Sequence, residues 1–296
     1  MSAAQLAPRT NRDRSVVDAD ELTPIDWHDG VAYKRDDLFM PYADLDLSGG
    51  KVRQMIRLVE THEQTIRDEY DATLLSATGV DSPQGLIVAR VAAAYAMSCV
   101  LFVATRSYSS AITRYRMLRR AACLGATIDT AAPLGYEPVL ARRLDEYRAE
   151  HGGYPIRFGI AADTDSAALL DTTAAQAANI PDDVTTVVVP VGAGITAAGI
   201  LAGVRDHCPH VTRVVLVQVC GYDRRETIER LAPNCPYEWH AETRWQYHHQ
   251  LRRRVDELTF DPIYEAKAHA YMTDRLDDLP RGRTLFWCIG NSAHVR

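Results

Sequence analysis

Val187-Val-Val-Pro-Val-Gly-Ala-Gly-Ile-Thr-Ala-Ala-Gly-Ile-Leu-Ala202 reads as a short β-branched strand, a tight turn at Gly192-Ala193-Gly194-Ile195-Thr196, and a helix built of small residues. The strand is apolar without alternation, as suits a parallel sheet covered on both faces. The turn sends successive backbone N–H groups, the positive end of a helix dipole and the Thr196 hydroxyl toward one point, a place for an anion. The spacing is not that of a dinucleotide fingerprint. That pattern needs glycine at 197, where alanine stands, and an acidic residue after the next strand, where Val219 is followed by Cys220-Gly221-Tyr222. A single phosphate is the better fit; the other reading is a helix start packed on a strand with no ligand.

The same alternation extends outward. Val100-Leu-Phe-Val103 and Val214-Val-Leu-Val-Gln-Val219 are further buried-strand runs. Between the strands, Leu86 to Met97 is alanine-rich, Ser109 to Leu124 is a mixed apolar and arginine helix, and Tyr136 to His151 is a helix closed by Gly152-Gly153. The order predicts an α/β fold wound around mainly parallel sheets, with no internal repeat and no low-complexity segment.

Bulk properties set limits. At 296 residues, 47% apolar and 24% charged, the chain is long enough for two lobes around a cleft. Lys plus Arg number 33 against 39 Asp plus Glu, and a net charge of −6 gives the whole molecule no electrostatic footprint for nonspecific nucleic-acid binding. Six scattered cysteines (Cys99, Cys123, Cys208, Cys220, Cys235, Cys288) form no CxxC pair and read as reduced core thiols. His207-Cys208-Pro209-His210 lacks a second ligand pair, so it reads as a loop ending a helix, and no metal is expected. The polar N-terminus lacks a signal-peptide core, and Val91 to Ala104 is too short to span a bilayer. A cytoplasmic protein with no membrane partner is expected.

A second glycine signal stands at Leu47-Ser-Gly-Gly-Lys-Val-Arg53, behind the charged run Lys34-Arg35-Asp36-Asp37. Either something must approach the Lys51 amine closely, or a glycine turn opens a helix that happens to carry a lysine. An amine behind glycines and a cradle for one phosphate are together what pyridoxal 5'-phosphate (PLP) requires: a partner for its aldehyde and donors for its phosphate.

With these two signals, Lys34-Arg35-Asp36-Asp37-Leu38, Gly79-Val80-Asp81-Ser82 and Asp261-Pro262-Ile263-Tyr264-Glu265-Ala266-Lys267 complete five motifs in one order. Over about Tyr33 to Asn291 the sequence resembles the tryptophan synthase β-like, fold type II PLP enzymes, most of all the 1-aminocyclopropane-1-carboxylate deaminase and D-cysteine desulfhydrase branch. The resemblance implies two lobes of mainly parallel twisted sheets flanked by helices. A larger PLP-binding domain (1–50 and 157–296) would contain an inserted smaller α/β domain (51–156), with the cofactor in the cleft between them. Homodimers are usual in that family.

By the same resemblance, Lys51 would form the Schiff base with PLP and then move protons at the substrate α-carbon, through an external aldimine. Gly192, Ala193, Gly194, Ile195 and Thr196 would hold the phosphate. Ser82 would face the substrate carboxylate or the cofactor. Tyr264 would lie near ring and substrate, its other reading being a buried aromatic with a satisfied hydroxyl. Two positions depart from the pattern. Where the family has Ser-Asn, this chain has Ser82-Pro83-Gln84, so either Gln84 takes over the bond to the cofactor's phenolic oxygen or the ring electronics differ. Where deaminases read His-Thr-Gly-Gly, this chain reads Cys288-Ile289-Gly290-Asn291-Ser292, which leaves Cys288 and Ser292 as candidates for the pyridine nitrogen.

Asn234 to Arg254 interleaves tryptophan, tyrosine, histidine and arginine and reads as a solvated amphipathic helix; Arg252, Arg253 and Arg254 would also suit a nucleic acid. Three functions follow. The first is a PLP-dependent lyase or deaminase on a small free amino acid. The second is a PLP enzyme, decarboxylase or lyase, acting on an amino acid carried on a nucleobase, as phage-encoded relatives are thought to do in DNA modification. The third is a non-catalytic PLP-binding protein, against which the retained Lys51 argues.

Overall fold

A computed structural model describes residues 17–42, 44, 46–132, 134–161, 167–219 and 221–290, with the side chains of 167 and 168 excepted. In chain order the strands are β1 (Ile25–His28), β2 (Val31–Arg35), β3 (Thr73–Ala77), β4 (Ser98–Phe102), β5 (Thr127–Asp129), β6 (Tyr154–Ile156), β7 (Thr186–Val191), β8 (Arg213–Gln218), β9 (Glu238–Ala241), β10 (Arg254–Val255), β11 (Leu258–Thr259) and β12 (Thr284–Cys288). The helices are α1 (Gly50–Glu69), α2 (Gln84–Ala94), α3 (Tyr108–Arg114), α4 (Arg116–Cys123), α5 (Glu137–His151), α6 (Ala167–Ala174), α7 (Ile195–His207), α8 (Arg225–Leu231) and α9 (Glu265–Thr273).

Two sheets carry the architecture. One runs β1-β2-β12-β7-β8-β9, parallel except for the β1–β2 hairpin; the other runs β5-β4-β3-β6, parallel throughout. The fold is therefore the expected α/β, two-lobed arrangement. Strand β7 shows why its sequence does not alternate: Val187, Val189 and Val191 enter one apolar cluster and Val188 the cluster on the other face. The carboxyl-terminal edges of both sheets face a common cleft, where ligands gather in open α/β sheets.

Two expected helices differ. The stretch Ser109 to Leu124 is broken at Tyr115, whose extended backbone (φ −115°, ψ 108°) ends α3 and starts α4. That turn lets Met117, Leu118 and Ala121 enter the core, and no glycine or proline marks it. Asn234 to Arg254 is not a helix: strand β9, an irregular loop and the start of the β10–β11 hairpin occupy it. Its arginines are not one solvated face, since Arg244 pairs with Glu242 and Asp274.

Cys99, Cys208, Cys235 and Cys288 are buried free thiols, as expected, whereas Cys123 is exposed; Cys220 lies outside the described residues. His207 ends α7 and Cys208 caps it. Among the described residues no group of three or more His, Cys, Asp or Glu could hold a metal ion, and no helix is long and apolar enough to cross a membrane.

Candidate active site

Lys51 is the second residue of α1, and the glycines before it answer to the backbone rather than to the amine. Gly49 caps the helix at φ +100°, and a Cβ there would lie 2.3 Å from both Gly290 Cα and the Ile289 carbonyl oxygen. The Gly50 N–H donates to that carbonyl (2.9 Å) and the Gly49 N–H to the Phe39 carbonyl (2.9 Å). The strand end after β12 is thus clamped onto the first turn of α1, which fixes where the lysine leaves the backbone.

The chain contains three lysines, and the fold separates their uses. Lys34 is fully buried and donates to the Thr23 carbonyl (2.8 Å) and Asn179 Oδ1 (2.7 Å). Lys267 is fully buried and donates to the carbonyls of Gln246 (2.9 Å) and Tyr247 (2.7 Å). Lys51 alone lines the cleft, its Nζ 5.8 Å from the centre of the Tyr264 ring.

The cleft encloses about 680 Å³ counted together with its open mouth. Gly192, Ala193, Gly194, Ile195 and Thr196 line one wall, at the end of β7 and the start of α7. No acidic residue stands in the first turn of that 13-residue helix, so its N–H groups keep their positive potential. Gln54 Nε2 donates to Thr196 Oγ1 (3.2 Å) and to Thr173 Oγ1 (3.1 Å). Because the Thr196 oxygen accepts from Gln54, its own O–H remains able to donate to a ligand in the cleft that Thr196 lines.

The two loop glycines have different reasons. A Cβ on Gly192 would lie 2.8 Å from Tyr264 Cε1, so this glycine admits the Tyr264 ring. Gly194 sits at φ +94°, and its Cβ would meet Ile228 and Arg224 beside α8 at 3.3 and 3.4 Å. Gly194 is a conformational requirement of the turn more than a space reserved for phosphate. Across the cleft, Gly159 (φ +81°) approaches Ala193 so closely that a Cβ on it would lie 2.5 Å from the alanine's.

Tyr264 is half-buried, with its hydroxyl 2.7 Å from that of Tyr247. Ser82 stands beside the cleft-lining Pro83, its Oγ accepting the Gln84 N–H at 3.3 Å. Gln84 is not among the residues lining the cleft. Its buried amide donates to Ser76 Oγ (3.1 Å) and the Arg157 carbonyl (2.9 Å), and it accepts the Gly159 N–H (2.9 Å), tying the 157–159 turn to β3.

Cys288 is also displaced from its expected role. The thiol lies in an apolar cluster, and burial first, then the neighbouring carboxyls of Glu265 and Asp37, pushes its pKa well up. Ser292 lies outside the described residues. The sequence reading passed over Glu265, although it stands next to Tyr264 in a motif already singled out. This carboxyl is fully buried, accepts the Gly290 N–H (2.9 Å) and the Asp261 N–H (2.9 Å), and so joins two cleft-lining residues. Burial first, and then Asp37 and Asp261, raises its pKa well above the usual carboxyl value. Nothing in the sequence marks which end of the chain it would meet.

A family model described as "Pyridoxal-phosphate dependent enzyme" matches residues 16–275. The chain belongs to that family. Among solved structures the fold resembles an ACC deaminase homologue (TM-score 0.73, 17% identity, 91% of this chain and 89% of that one). It also resembles the O-acetylserine dependent cystathionine beta-synthase of Helicobacter pylori (TM-score 0.67, 14% identity, 94% of each chain) and threonine deaminase isoform 2 of Solanum lycopersicum (TM-score 0.63, 13% identity, 91% and 79%). At these identities the likeness is one of fold. No curated protein sequence matches. Family membership makes PLP the cofactor, and the residues present fit it: one cleft lysine, an acid-free helix start, and an oriented threonine hydroxyl.

Proposed function

We propose that this protein is a PLP-dependent lyase or deaminase acting at the α-carbon of an amino acid. The observation that carries the proposal is that Lys51, alone of three lysines, opens into the cleft that also holds the phosphate cradle. Among the similar structures one is named an ACC deaminase homologue, one a threonine deaminase and one an L-serine ammonia-lyase; others are synthases and racemases.

PLP, when bound, supplies an electron sink for the bond broken at the substrate α-carbon. The chain supplies the rest. Lys51 would hold the cofactor and would take or return a proton at the α-carbon. Gly192 to Thr196 would hold the phosphate through backbone N–H groups and the Thr196 hydroxyl. Tyr264, held against Gly192, lines the cleft beside Lys51. Ser48, which lines the cleft, and Ser82 offer hydroxyls to the substrate carboxylate. Leu47, Pro83, Ile87 and Ile289 form an apolar wall, so the substituent on the α-carbon is small or apolar. Glu265, buried behind Tyr264, would hold the cleft-lining backbone of Asp261 and Gly290 in place.

The test is product analysis with the holoenzyme and free D- and L-amino acids. Ammonia and a 2-oxo acid are expected. Racemised or β-substituted product without ammonia would place the protein with the racemases or synthases instead.

A further inference from the structure

Fourteen tyrosines stand in the chain, and four of them are exposed: Tyr108 (49%), Tyr136 (60%), Tyr222 (52%) and Tyr247 (39%). They are far apart in sequence but not in the fold. Each follows the carboxyl end of a sheet strand: β4, β5, β8 and β9 respectively. Those are the edges that face the cleft, since Pro83 after β3, Gly159 after β6 and Gly192 after β7 all line it. The exposed tyrosines therefore stand around its mouth. One link holds the two sides of this rim together: Arg224, which lies over the Tyr222 ring at 5.3 Å, pairs with Glu137 next to Tyr136 (2.8 Å), while the Tyr247 hydroxyl bonds Tyr264 in the cleft.

Charge is unevenly distributed along the smaller lobe. Residues 82–128 contain six arginines and no Asp or Glu, so with those six removed the −6 of the chain becomes −12. Two of the six, Arg90 and Arg120, face Asp44 and Asp46 in the loop before Lys51. Arg106, Arg114, Arg116 and Arg119 are exposed on the segment that runs from the loop before Tyr108 through α3 into α4. Inside, the charged side chains lining the cleft among the described residues are Lys51 and Asp261 only. Cationic capacity thus lies outside the pocket, around Tyr108, whereas at Tyr136 and Tyr222 the arginines Arg224 and Arg225 are paired with Glu137 and Asp223.

Rigid aromatic platforms interleaved with arginine are what an unpaired nucleic-acid strand requires, its bases stacking on the rings and its phosphates meeting the guanidiniums. We propose that the rim of the cleft is a docking surface for single-stranded nucleic acid. Arg252, Arg253 and Arg254 lie on another segment, leading into the β10–β11 hairpin, whose Asp256 bonds His28 (2.6 Å) at the end of β1. The proposal does not depend on which bond the enzyme breaks, so it stands or falls apart from the reaction assigned above.

The test is fluorescence anisotropy of the PLP-loaded protein with a labelled oligothymidylate of about 16 nucleotides. Binding at low salt is expected, and Tyr108→Ala or Tyr136→Ala each weakens it about tenfold, while Tyr108→Phe and Tyr136→Phe, which keep the stacking face, bind as the native chain does. Arg106→Gln with Arg114→Gln lowers the slope of log affinity against log salt by about 1.4. Retained cofactor absorbance and far-ultraviolet circular dichroism report folding of each variant. Absence of binding at low salt overturns the proposal. So does binding that falls with the arginine pair but is indifferent to both tyrosine-to-alanine changes, which marks an ion-exchange surface only.

Discussion

Gly49 and Gly290 each require the other to be glycine: a Cβ on Gly49 would lie 2.3 Å from Gly290 Cα, and one on Gly290 would lie 2.9 Å from Gly49 Cα and 2.5 Å from the Ser48 carbonyl oxygen. Both residues also hold positive φ, +100° and +138°. Gly290→Ala therefore costs about 2–4 kcal/mol, from backbone strain and a contact with no flexible side chain to yield. A thermal melt of the apoprotein reads the loss; an unchanged melting temperature would contradict it.

Gln54 is placed to orient the phosphate-binding hydroxyl without being needed to hold the fold. Its Nε2 serves Thr196 and Thr173, and its buried Oε1 has no hydrogen-bond partner. Gln54→Leu keeps similar volume and weakens PLP binding about tenfold, or ~1.4 kcal/mol, with little change in the melting of the apoprotein. Equilibrium dialysis of the cofactor checks it, and unaltered affinity would remove Gln54 from the cradle.

How far the sequence could be read depended on the range of the contacts. The strand, turn and helix at 187–202 were legible because each signal is local: a β-branched run, two glycines and small helical residues. Lys51 was legible as a candidate, but the reason for the glycines before it was not, because their partners, Ile289 and Gly290, lie at the far end of the chain. Gln84 was illegible for the same reason. Its type suits a ligand contact, and only the arrival of the 157–159 turn shows that its amide is fully used. The break at Tyr115 had no local punctuation at all.

Glu265 carries a prediction about hydrogen bonding. Each of its two oxygens accepts one backbone N–H, from Asp261 and from Gly290. Glu265→Gln keeps the shape but turns an NH2 toward one of those donors and should cost about 1–2 kcal/mol, while Glu265→Leu leaves both N–H groups without an acceptor and should cost about 3 kcal/mol or more. Denaturant melts of the two variants check the order. No loss in either variant would mean that these bonds do not hold the cleft edge.

Lys34 gives the fold a pH dependence of known sign. Burial lowers its pKa from 10.5 to about 8, opposed by Asp36 and reinforced by Arg53. Between those values the unfolded chain binds the proton that the folded chain has released, so this residue's contribution to stability rises with pH across that window. Below pH 8 both states are protonated and the full desolvation penalty is present. Tyr33 and Tyr42, whose pKa values are raised by burial, act in the opposite direction as pH climbs, so the useful quantity is the difference between the native chain and Lys34→Met. That difference should move in favour of the native chain by up to about 3 kcal/mol from pH 8 to 10.5. A flat or reversed difference would contradict the assignment.

Covalent attachment of PLP at Lys51 is tested most directly by reducing the holoenzyme with borohydride and mapping the modified peptide by mass spectrometry, a measurement made simple by a chain with three lysines. The label is expected on Lys51 alone, with Lys51→Ala losing both the adduct and turnover. A label on Lys34 or Lys267, or full turnover in Lys51→Ala, would contradict it.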